Sequence, residues 1–383
     1  MSSAARPAER VLFLIRSLDR GGAERQLVQL AIALHRRGAV VEVATFYDGG
    51  ILRAELDSAG VPTYSLGKTG RWDMFQFLGR LVLFVWSRKP TVLHGYLSTA
   101  NLLLAAFKPF WRGARVVWGV RASNVAIDQY DWLTRLTARL ERYLSCKADL
   151  IIANSEAGKR YVVAHGFPGN KLVTIPNGID VESFRFDAAG RRDVCAGWGV
   201  REYEILVGIV ARLDPMKDHP TFLEAARRVA LKYQHVRFVC VGDGPADYAA
   251  LLERQAQELG LAGRIIWAGA RDDMAAVYSA LDIATSTSFG EGFSNAIAEA
   301  MACERPCVVT DVGDSAWIVG ETGRVVPPGD PQALAEGLFR MIDQPASERA
   351  ALGTAARARI ESEFGIEALV SRTVQVLGLD RCA

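Results

Sequence analysis

Short apolar runs rich in β-branched residues alternate with amphipathic stretches along the whole chain. This alternation predicts repeated strand–helix–strand units and parallel sheets. In the first half, the predicted strands are 11–16, 40–46, 62–65, 91–94, 115–120, 149–153 and 172–175. The predicted helices between them are 22–37, 51–58, 73–88, 98–109, 130–145 and 155–165.

The same pattern restarts after a polar segment over 182–203, which we interpret as the connection between two domains. Strands are predicted there at 205–211, 236–241, 264–267, 282–285, 306–309 and 324–326. Helices are predicted at 219–232, 246–259, 272–279, 295–303, 331–343, 347–362 and 366–378. The sequence therefore predicts an α/β fold of two doubly wound parallel-sheet domains, over 1–185 and 186–365, with a last helical segment over 366–383.

The composition is that of a globular protein. Of the 383 residues, 50% are hydrophobic and 23% are charged. The longest apolar runs are too short to span a bilayer, and the one behind Arg6 and Arg10 is too short for a signal peptide. Six cysteines, without a C-x-x-C pair, favour reduced thiols. We therefore expect a cytoplasmic protein.

Charge is distributed unevenly along the chain. Residues 1–185 hold 25 Lys and Arg against 15 Asp and Glu, a net charge of +10, and the remainder holds 20 against 28, a net charge of −8. One interpretation is chance variation between two domains. The other is that the first domain faces an anionic partner.

Two carboxylates eight residues apart mark the candidate site of the second domain. Glu291 is flanked by glycines at the end of a loop, and Glu299 lies about a turn and a half inside the following predicted helix. Amides of Phe293, Ser294 and Asn295 at the helix start suit a phosphate, and the carboxylates can accept hydrogen bonds from sugar hydroxyls. The alternatives are an exposed helix glutamate and plain capping residues. Together the features indicate a pocket for a nucleotide sugar.

Two cations follow the first strand of the second domain. Arg212 and Lys217 lie five residues apart, where a guanidinium and an ammonium can stabilise a departing diphosphate without a metal. The sequence contains no Asp-x-Asp, so the usual ligand pair for a metal-dependent mechanism is missing and we predict no metal site. The alternative is a pair of solvated surface cations.

These motifs occur in the order typical of one family. The chain resembles glycosyltransferase family 4, the retaining enzymes of the GT-B fold. The resemblance rests on the E-x7-E spacing and on five further segments: GGAERQ (21–26), IPNGID (175–180), ARLDPMKDH (211–219), VGDGP (241–245) and PCVVTDVGD (306–314).

The resemblance implies the roles of several residues. Two Rossmann-like domains would face each other across a cleft, and the last helix would return to the first domain. Glu299 would bind the ribose and Glu291 the transferred sugar. Gly21 and Gly22 would approach the donor phosphate or the acceptor, unless they form an ordinary turn. Ala270 and Arg271 would contact the base of the donor nucleotide. No cofactor is implied beyond the donor substrate, a UDP-sugar in preference to a GDP-sugar.

Two residues of the first domain are candidates for acceptor or phosphate contacts. His94 ends a buried-looking strand, where a histidine is equally compatible with a plain core position. Arg121 stands where many relatives carry a histidine, so a proton-accepting role is not expected there. An arginine can still bind a phosphate or a sugar hydroxyl.

The segment from Lys68 to Arg115 holds eight cations, one acidic residue and many aromatic residues. Part of it must be core, and the better candidates for lipid contact are Lys108, Phe110, Trp111 and Arg112. No nucleic-acid motif accompanies the charge, so nucleic acid is not an expected partner.

The predicted activity is transfer of a hexose-type sugar, with retention, to a lipid-linked or glycan acceptor. By analogy the setting is bacterial surface polysaccharide biosynthesis, at the inner face of the cytoplasmic membrane. Two alternatives remain at this point: a GT-B nucleotide-sugar epimerase or phosphorylase, and a non-catalytic GT-B partner subunit.

Overall fold

The computed structural model describes residues 9–19, 21–70, 72–121 and 132–379. The chain divides into two compact units. Unit 1 comprises Met1–Gly178 together with Ile366–Ala383, and unit 2 comprises Ile179–Gly365. None of the described helices combines the length and the apolar character needed to cross a bilayer.

Unit 1 contains a parallel sheet of seven described strands. They are β1 (Arg10–Ile15), β2 (Val40–Thr45), β3 (Thr63–Ser65), β4 (Val92–Tyr96), β5 (Arg115–Val120), β6 (Leu150–Ala153) and β7 (Leu172–Thr174). Their order in the sheet is β3-β2-β1-β4-β5-β6-β7. β1 pairs with β2 on one side and with β4 on the other, so the direction of the winding reverses between β1 and β4.

The helices of unit 1 cover both faces of this sheet. They are α1 (Gly22–Arg36), α2 (Arg53–Ser58), α3 (Met74–Arg88), α4 (Leu97–Ala106), α5 (Trp132–Ser145), α6 (Glu156–Ala164) and, from the end of the chain, α15 (Ile366–Leu377). Apolar residues of α1, α2 and α15 join the core on one face. Those of α3 and α4 join the core on the other face, against which Leu144 of α5 packs.

Unit 2 contains a second parallel sheet, of six described strands. They are β8 (Ile205–Val210), β9 (Val236–Val241), β10 (Ile265–Gly269), β11 (Ile283–Ser286), β12 (Cys307–Thr310) and β13 (Arg324–Val326). Their order is β10-β9-β8-β11-β12-β13, which reverses between β8 and β11.

The helices of unit 2 again lie on both faces of the sheet. They are α7 (Ala188–Gly197), α8 (His219–Lys232), α9 (Ala246–Glu258), α10 (Met274–Ala280), α11 (Asn295–Ala302), α12 (Ser315–Val319), α13 (Pro331–Ile342) and α14 (Ala346–Arg359). A π-helical turn over Ile360–Phe364 follows α14. α8, α9 and α13 contribute to one core, and α10, α11 and α12 to the other.

The segment 182–203, expected to be a polar connection, contains α7. The polar sequence of this segment gives no sign of the contacts that hold the helix in place. Arg191 donates hydrogen bonds to the carbonyl oxygens of Ser279 and Ala280 at the end of α10 and pairs with Asp282 at 2.9 Å. An arginine that looks like a linker residue therefore fixes α7 to unit 2.

In both units the carboxyl ends of the strands form one edge of the sheet. The winding reverses beside β1 in unit 1 and beside β8 in unit 2, and ligands of doubly wound folds bind where the winding reverses. The predicted fold class, two Rossmann-like parallel-sheet domains, is confirmed.

Candidate functional site

Two loops of unit 2 meet where its sheet reverses. One loop runs from the end of β8 to α8 and includes a 3₁₀ turn over Pro215–Lys217. The other runs from the end of β11 to α11. Because β8 and β11 are hydrogen-bonded neighbours, their loops leave the same edge side by side.

An ion pair joins the two loops. Lys217 Nζ lies 2.5 Å from Glu291 Oε1, and the Ser288 hydroxyl donates to the same oxygen at 2.8 Å. Both charged side chains are largely buried, with 24% and 13% of their surface exposed. A charge-assisted hydrogen bond of this kind holds both groups in one geometry.

The backbone around Lys217 is held independently of that pair. The Thr287 hydroxyl lies 2.8 Å from the Lys217 carbonyl oxygen and 2.9 Å from that of Asp218. The Phe289 amide donates to the Met216 carbonyl oxygen at 2.9 Å. The 3₁₀ turn and the residue after it are thus held to the neighbouring loop by one hydroxyl and one amide.

Asp218 and His219 complete this turn beneath Lys217. Asp218 has a left-handed backbone (φ 49°) and caps α8 by accepting from the Thr221 amide. His219 is fully buried, and neither ring nitrogen has a hydrogen-bond partner among the described residues. Burial, with the positive charge of Lys217, lowers the pKa of His219 to about 4. The imidazole is therefore neutral, so it adds no second positive charge under the lysine.

A cavity of about 280 Å³ opens between these loops. Among its lining residues are Arg212, Lys217, Ser286, Ser288, Glu291, Phe293, Ser294 and Asn295. The structure thus brings together, in one cavity, six residues predicted from the sequence. The Arg212 side chain is 77% exposed and lies 3.5 Å from Asp214, so its guanidinium remains accessible to a ligand.

The start of α11 faces this cavity. Ser294 precedes the helix in an extended conformation, and its side chain accepts no capping hydrogen bond. Phe293 is only 6% exposed, and its ring packs against Phe364 with 5.5 Å between centroids. Phe293 therefore contributes backbone to the cavity while its side chain anchors the loop in the core.

Glu299 lies on α11 and is bonded to a residue that the sequence did not single out. The Tyr278 hydroxyl donates to Glu299 Oε2 at 2.9 Å, and Tyr278 is 1% exposed. Burial and the charge of Glu299 raise the pKa of Tyr278 well above its usual value, which keeps the phenol protonated as a donor. Glu299 is outside the set of residues that line the cavity.

Glycines of two sequence motifs support the same loops. Gly313 has a φ of +58°, and a Cβ there would lie 2.4 Å from the Glu291 carbonyl oxygen. In the VGDGP segment, a Cβ on Gly242 would lie 2.0 Å from the Ala211 carbonyl oxygen, and one on Gly244 would lie 2.2 Å from that of Leu213. These close approaches are open only to glycine, so both motifs shape the loops that carry Arg212 and Glu291.

The predicted base contacts lie elsewhere in unit 2. Ala270 and Arg271 are exposed. Arg271 forms a bidentate ion pair with Asp273, in which Nε and Nη2 donate to the two carboxylate oxygens at 2.8 and 2.6 Å. It lines a different cavity, of about 250 Å³, beside α7.

In unit 1, Gly21 and Gly22 lie at the start of α1, after β1. Gly21 is extended, and a Cβ there would lie 2.0 Å from Glu24 Oε2, a flexible side-chain atom. They lie at the carboxyl edge of the sheet, and their contact with a phosphate stays a prediction.

His94 lies within β4 and not at its end as expected, because the strand continues to Tyr96, whereas Arg121 follows the end of the neighbouring strand β5. His94 is 2% exposed and packs between the rings of Phe13 and Tyr96, at 5.1 and 4.9 Å between centroids. Burial and the charge of Arg121 lower the pKa of His94 to about 3. Arg121 donates to the Tyr96 hydroxyl at 2.8 Å and to Asn177 Oδ1. His94 is thus a neutral core residue, and Arg121 is a fixed cation at the sheet edge.

The segment predicted to contact lipid makes internal contacts. Trp111 is 2% exposed and donates to the Leu104 carbonyl oxygen. Lys108 pairs with Asp149 at 2.5 Å, and Arg112 stacks 4.0 Å above the ring of Trp86. Phe110 is 50% exposed, the one large apolar side chain of these four that is open to solvent.

Comparison with known proteins identifies the class to which this fold and site belong. Residues 20–183 match the sequence model of Glycosyltransferase Family 4, and residues 204–344 match that of Glycosyl transferases group 1. D-inositol 3-phosphate glycosyltransferase of Rhodococcus opacus (strain B4) is 30% identical over 371 residues, 86% of this chain and 79% of the relative. The chain belongs to glycosyltransferase family 4, as its motifs predicted, and it is a glycosyltransferase.

Solved structures share the whole fold. Anabaena Alr3699/HepE in complex with UDP superposes with a TM-score of 0.83 at 23% identity, covering 96% of this chain and 99% of that one. Further structures of HepE hold UDP with glucose, and UDP-glucose. A mutant of S. aureus TarM, in complex with Fondaparinux, alpha-GlcNAc-glycerol and UDP, has a TM-score of 0.73 at 12% identity, covering 96% and 99%. These structures are of the GT-B type, which agrees with the predicted fold.

Proposed function

We propose that this glycosyltransferase moves a hexose-type sugar from a nucleotide diphosphate sugar to a lipid-linked or glycan acceptor, with retention at the anomeric carbon and without a metal. A UDP-sugar is the favoured donor, ahead of a GDP-sugar. The proposed setting is bacterial surface polysaccharide biosynthesis in the cytoplasm, at the inner face of the cytoplasmic membrane.

One observation carries the proposal: Lys217 and Glu291 form a partly buried ion pair in the lining of a cavity that also exposes Arg212 and the start of α11. Cations and helix-start amides suit a diphosphate, and a fixed carboxylate suits sugar hydroxyls. A ligand that carries both groups at once is a nucleotide diphosphate sugar.

The proposed reaction is a front-face substitution. The bond from the anomeric carbon to the diphosphate oxygen breaks while the acceptor oxygen bonds to that carbon from the same face. The acceptor proton passes to an oxygen of the departing diphosphate, so no separate base is needed. Lys217 and Arg212 stabilise the charge that develops on the leaving group. Glu291 holds hydroxyls of the transferred sugar, and Glu299, oriented by Tyr278, holds those of the ribose.

Known proteins of the same fold support the choice of donor. HepE binds UDP and UDP-glucose, and TarM binds UDP. They support a glycan acceptor as well, since TarM is in complex with alpha-GlcNAc-glycerol. The net charge of +10 over residues 1–185 suits an acceptor with anionic groups, such as a lipid-linked phosphate.

Donor binding is tested first. Thermal shift against UDP-, GDP- and ADP-sugars should raise the unfolding temperature for UDP-sugars most, because a ligand that binds only the folded state stabilises it. No shift with any nucleotide sugar at saturating concentration would contradict the proposal.

Catalysis is tested with Lys217→Ala. We expect kcat for sugar transfer to fall by about 10²–10³, the usual cost of one charge-stabilising group. Lys232→Ala is the matched control, since Lys232 is an exposed lysine of α8 paired with Asp343. NMR of the products assigns the anomeric configuration. It also separates transfer from epimerisation, which would proceed on the UDP-sugar alone.

A further inference from the structure

The exposed face of α5 combines apolar and basic residues. Leu136, Leu140 and Tyr143 are 42%, 44% and 73% exposed. Their spacing of four and three residues places them on one side of the helix. Three such side chains in a row along a surface helix form an apolar patch that is open to water.

A row of cations runs beside this patch. Arg135, Arg139 and Arg142 repeat the same spacing one position earlier and are all exposed. Lys147 extends the exposed basic surface just beyond the end of the helix. The one acidic residue between 135 and 147 is Glu141, which is partly buried and bonded to Ser98.

The opposite face of α5 explains why the apolar patch is not needed for the core. On the side away from the patch, Ser145 is fully buried and Glu141, one turn earlier, is bonded to Ser98 of α4, while Leu144 packs against the core at the border between the two sides. The helix is thus seated on unit 1 through one face, while the other presents leucine and tyrosine flanked by arginine.

We propose that this face of α5 binds an anionic phospholipid surface. A helix with an apolar stripe and flanking arginines lies in the plane of a bilayer, with the apolar side chains below the headgroups and the cations among the phosphates. The charge complementarity selects an anionic bilayer over a neutral one. The inference extends the membrane-surface location in the proposed function and moves it from residues 108–112 to α5.

A second exposed apolar site lies on the same face of the sheet. Trp72 and Phe75, at the start of α3, are 92% and 90% exposed. Asp73, between them, accepts hydrogen bonds from the Thr69 amide and Lys68 Nζ, which hold the start of α3. Tryptophan and phenylalanine held in this way are suited to the headgroup region of a bilayer.

Vesicle co-sedimentation of the full chain tests the proposal. The chain should bind vesicles of phosphatidylcholine mixed with phosphatidylglycerol and bind those of phosphatidylcholine alone much more weakly. The double variant Arg139→Glu/Leu140→Glu should weaken binding to the anionic vesicles by about tenfold or more, since charge reversal and lost insertion act together.

The matched control is Leu251→Glu/Arg254→Glu, which changes an exposed leucine and an exposed arginine on α9 of unit 2. It should bind vesicles within about twofold of the unchanged chain, because the substituted residues lie outside the proposed surface. All four positions are exposed, so both variants should fold and keep their thermal shift with UDP-glucose.

Three results would overturn the proposal: equal binding to both kinds of vesicle, no binding to either, or unchanged binding by the α5 variant. A loss of self-association in the α5 variant, without a change in vesicle binding, would instead assign the face to a second copy of the chain. Absence of a thermal shift with every nucleotide sugar in the unchanged chain would contradict the proposed function while leaving the vesicle result intact.

Discussion

At the scale of single residues, the site depends on groups that hold the charged side chains in place. Lys217 and Glu291 meet because their loops are tied together at the backbone by Thr287 and by Phe289. Thr287 is fully buried, so its side chain is not open to a ligand. Its hydroxyl is the link between the end of β11 and the turn that carries Lys217.

We therefore expect Thr287→Val to reduce kcat by about tenfold or more, with a smaller change in KM for the donor, because Lys217 loses its fixed position. The lost hydroxyl also leaves carbonyl oxygens without a donor, at a cost of about 1–3 kcal/mol in the free energy of unfolding. Steady-state kinetics and urea unfolding measure the two effects.

Thr287→Ser is the control, because it keeps the hydroxyl. It should retain most of the turnover, although the lost methyl group lowers stability slightly. Retention of kcat in the valine variant, with a loss in the serine variant, would show that the methyl group, and not the hydrogen bonds, positions Lys217.

At the scale of elements, the glycine-rich segments around the site allow neighbouring loops to pack backbone against backbone. Gly313 lies where the backbone passes against Glu291 and Gly292, and the Asp314 amide donates to the Gly292 carbonyl oxygen at 3.0 Å. The PCVVTDVGD segment thus packs against the loop that carries Glu291 and supports it.

Gly313→Ala should displace that loop. Its Cβ would lie 2.4 Å from the Glu291 carbonyl oxygen and 2.6 Å from that of Gly292, both backbone atoms that cannot rotate away. We expect kcat/KM for transfer to fall by about 10², since small misplacements at a reacting centre have effects of that size.

Gly269→Ala is the control that distinguishes the effect of this steric clash from the effect of backbone strain. Gly269 has a similar left-handed φ of +64°, but no atom lies within 4 Å of its added Cβ. It should lose about 1 kcal/mol of stability and keep its activity. If both alanine variants lost activity equally, strain alone would account for the effect.

At the scale of the whole molecule, the end of the chain completes unit 1. Leu369, Val370 and Leu377 of α15, with Leu379, are buried in the core shared with α1. Arg37, just after α1, also pairs with Glu367 of α15. The sheet of unit 1 is therefore covered on that face by helices from both ends of the sequence.

Deletion of 366–383 should destabilise unit 1 selectively. Burial of an aliphatic side chain contributes about 1.5–3 kcal/mol, so four of them give roughly 6–12 kcal/mol as an upper bound. That is comparable with the full stability of a domain, so unit 1 should become sensitive to limited proteolysis while unit 2 stays protected. A truncation that removes only 380–383 keeps these four side chains and should behave as the full chain does.

Much of this protein could be predicted from its sequence. The alternation of apolar runs and amphipathic stretches predicted the two parallel sheets, and the spacing of Arg212, Lys217 and Glu291 predicted residues that line one cavity. These features are local: they depend on residue type and on spacing along a strand or a helix.

What the sequence determined by itself is therefore the order of the elements, the family and the charged residues of the donor loops. The tertiary structure decided which residues support them and which surfaces remain open. Tyr278 reaches Glu299, Thr287 reaches Lys217 and Trp111 joins the core of unit 1 through packing between segments that lie apart in the sequence. Such contacts follow from how the helices are seated on the sheets, which the spacing of residues along the chain does not encode.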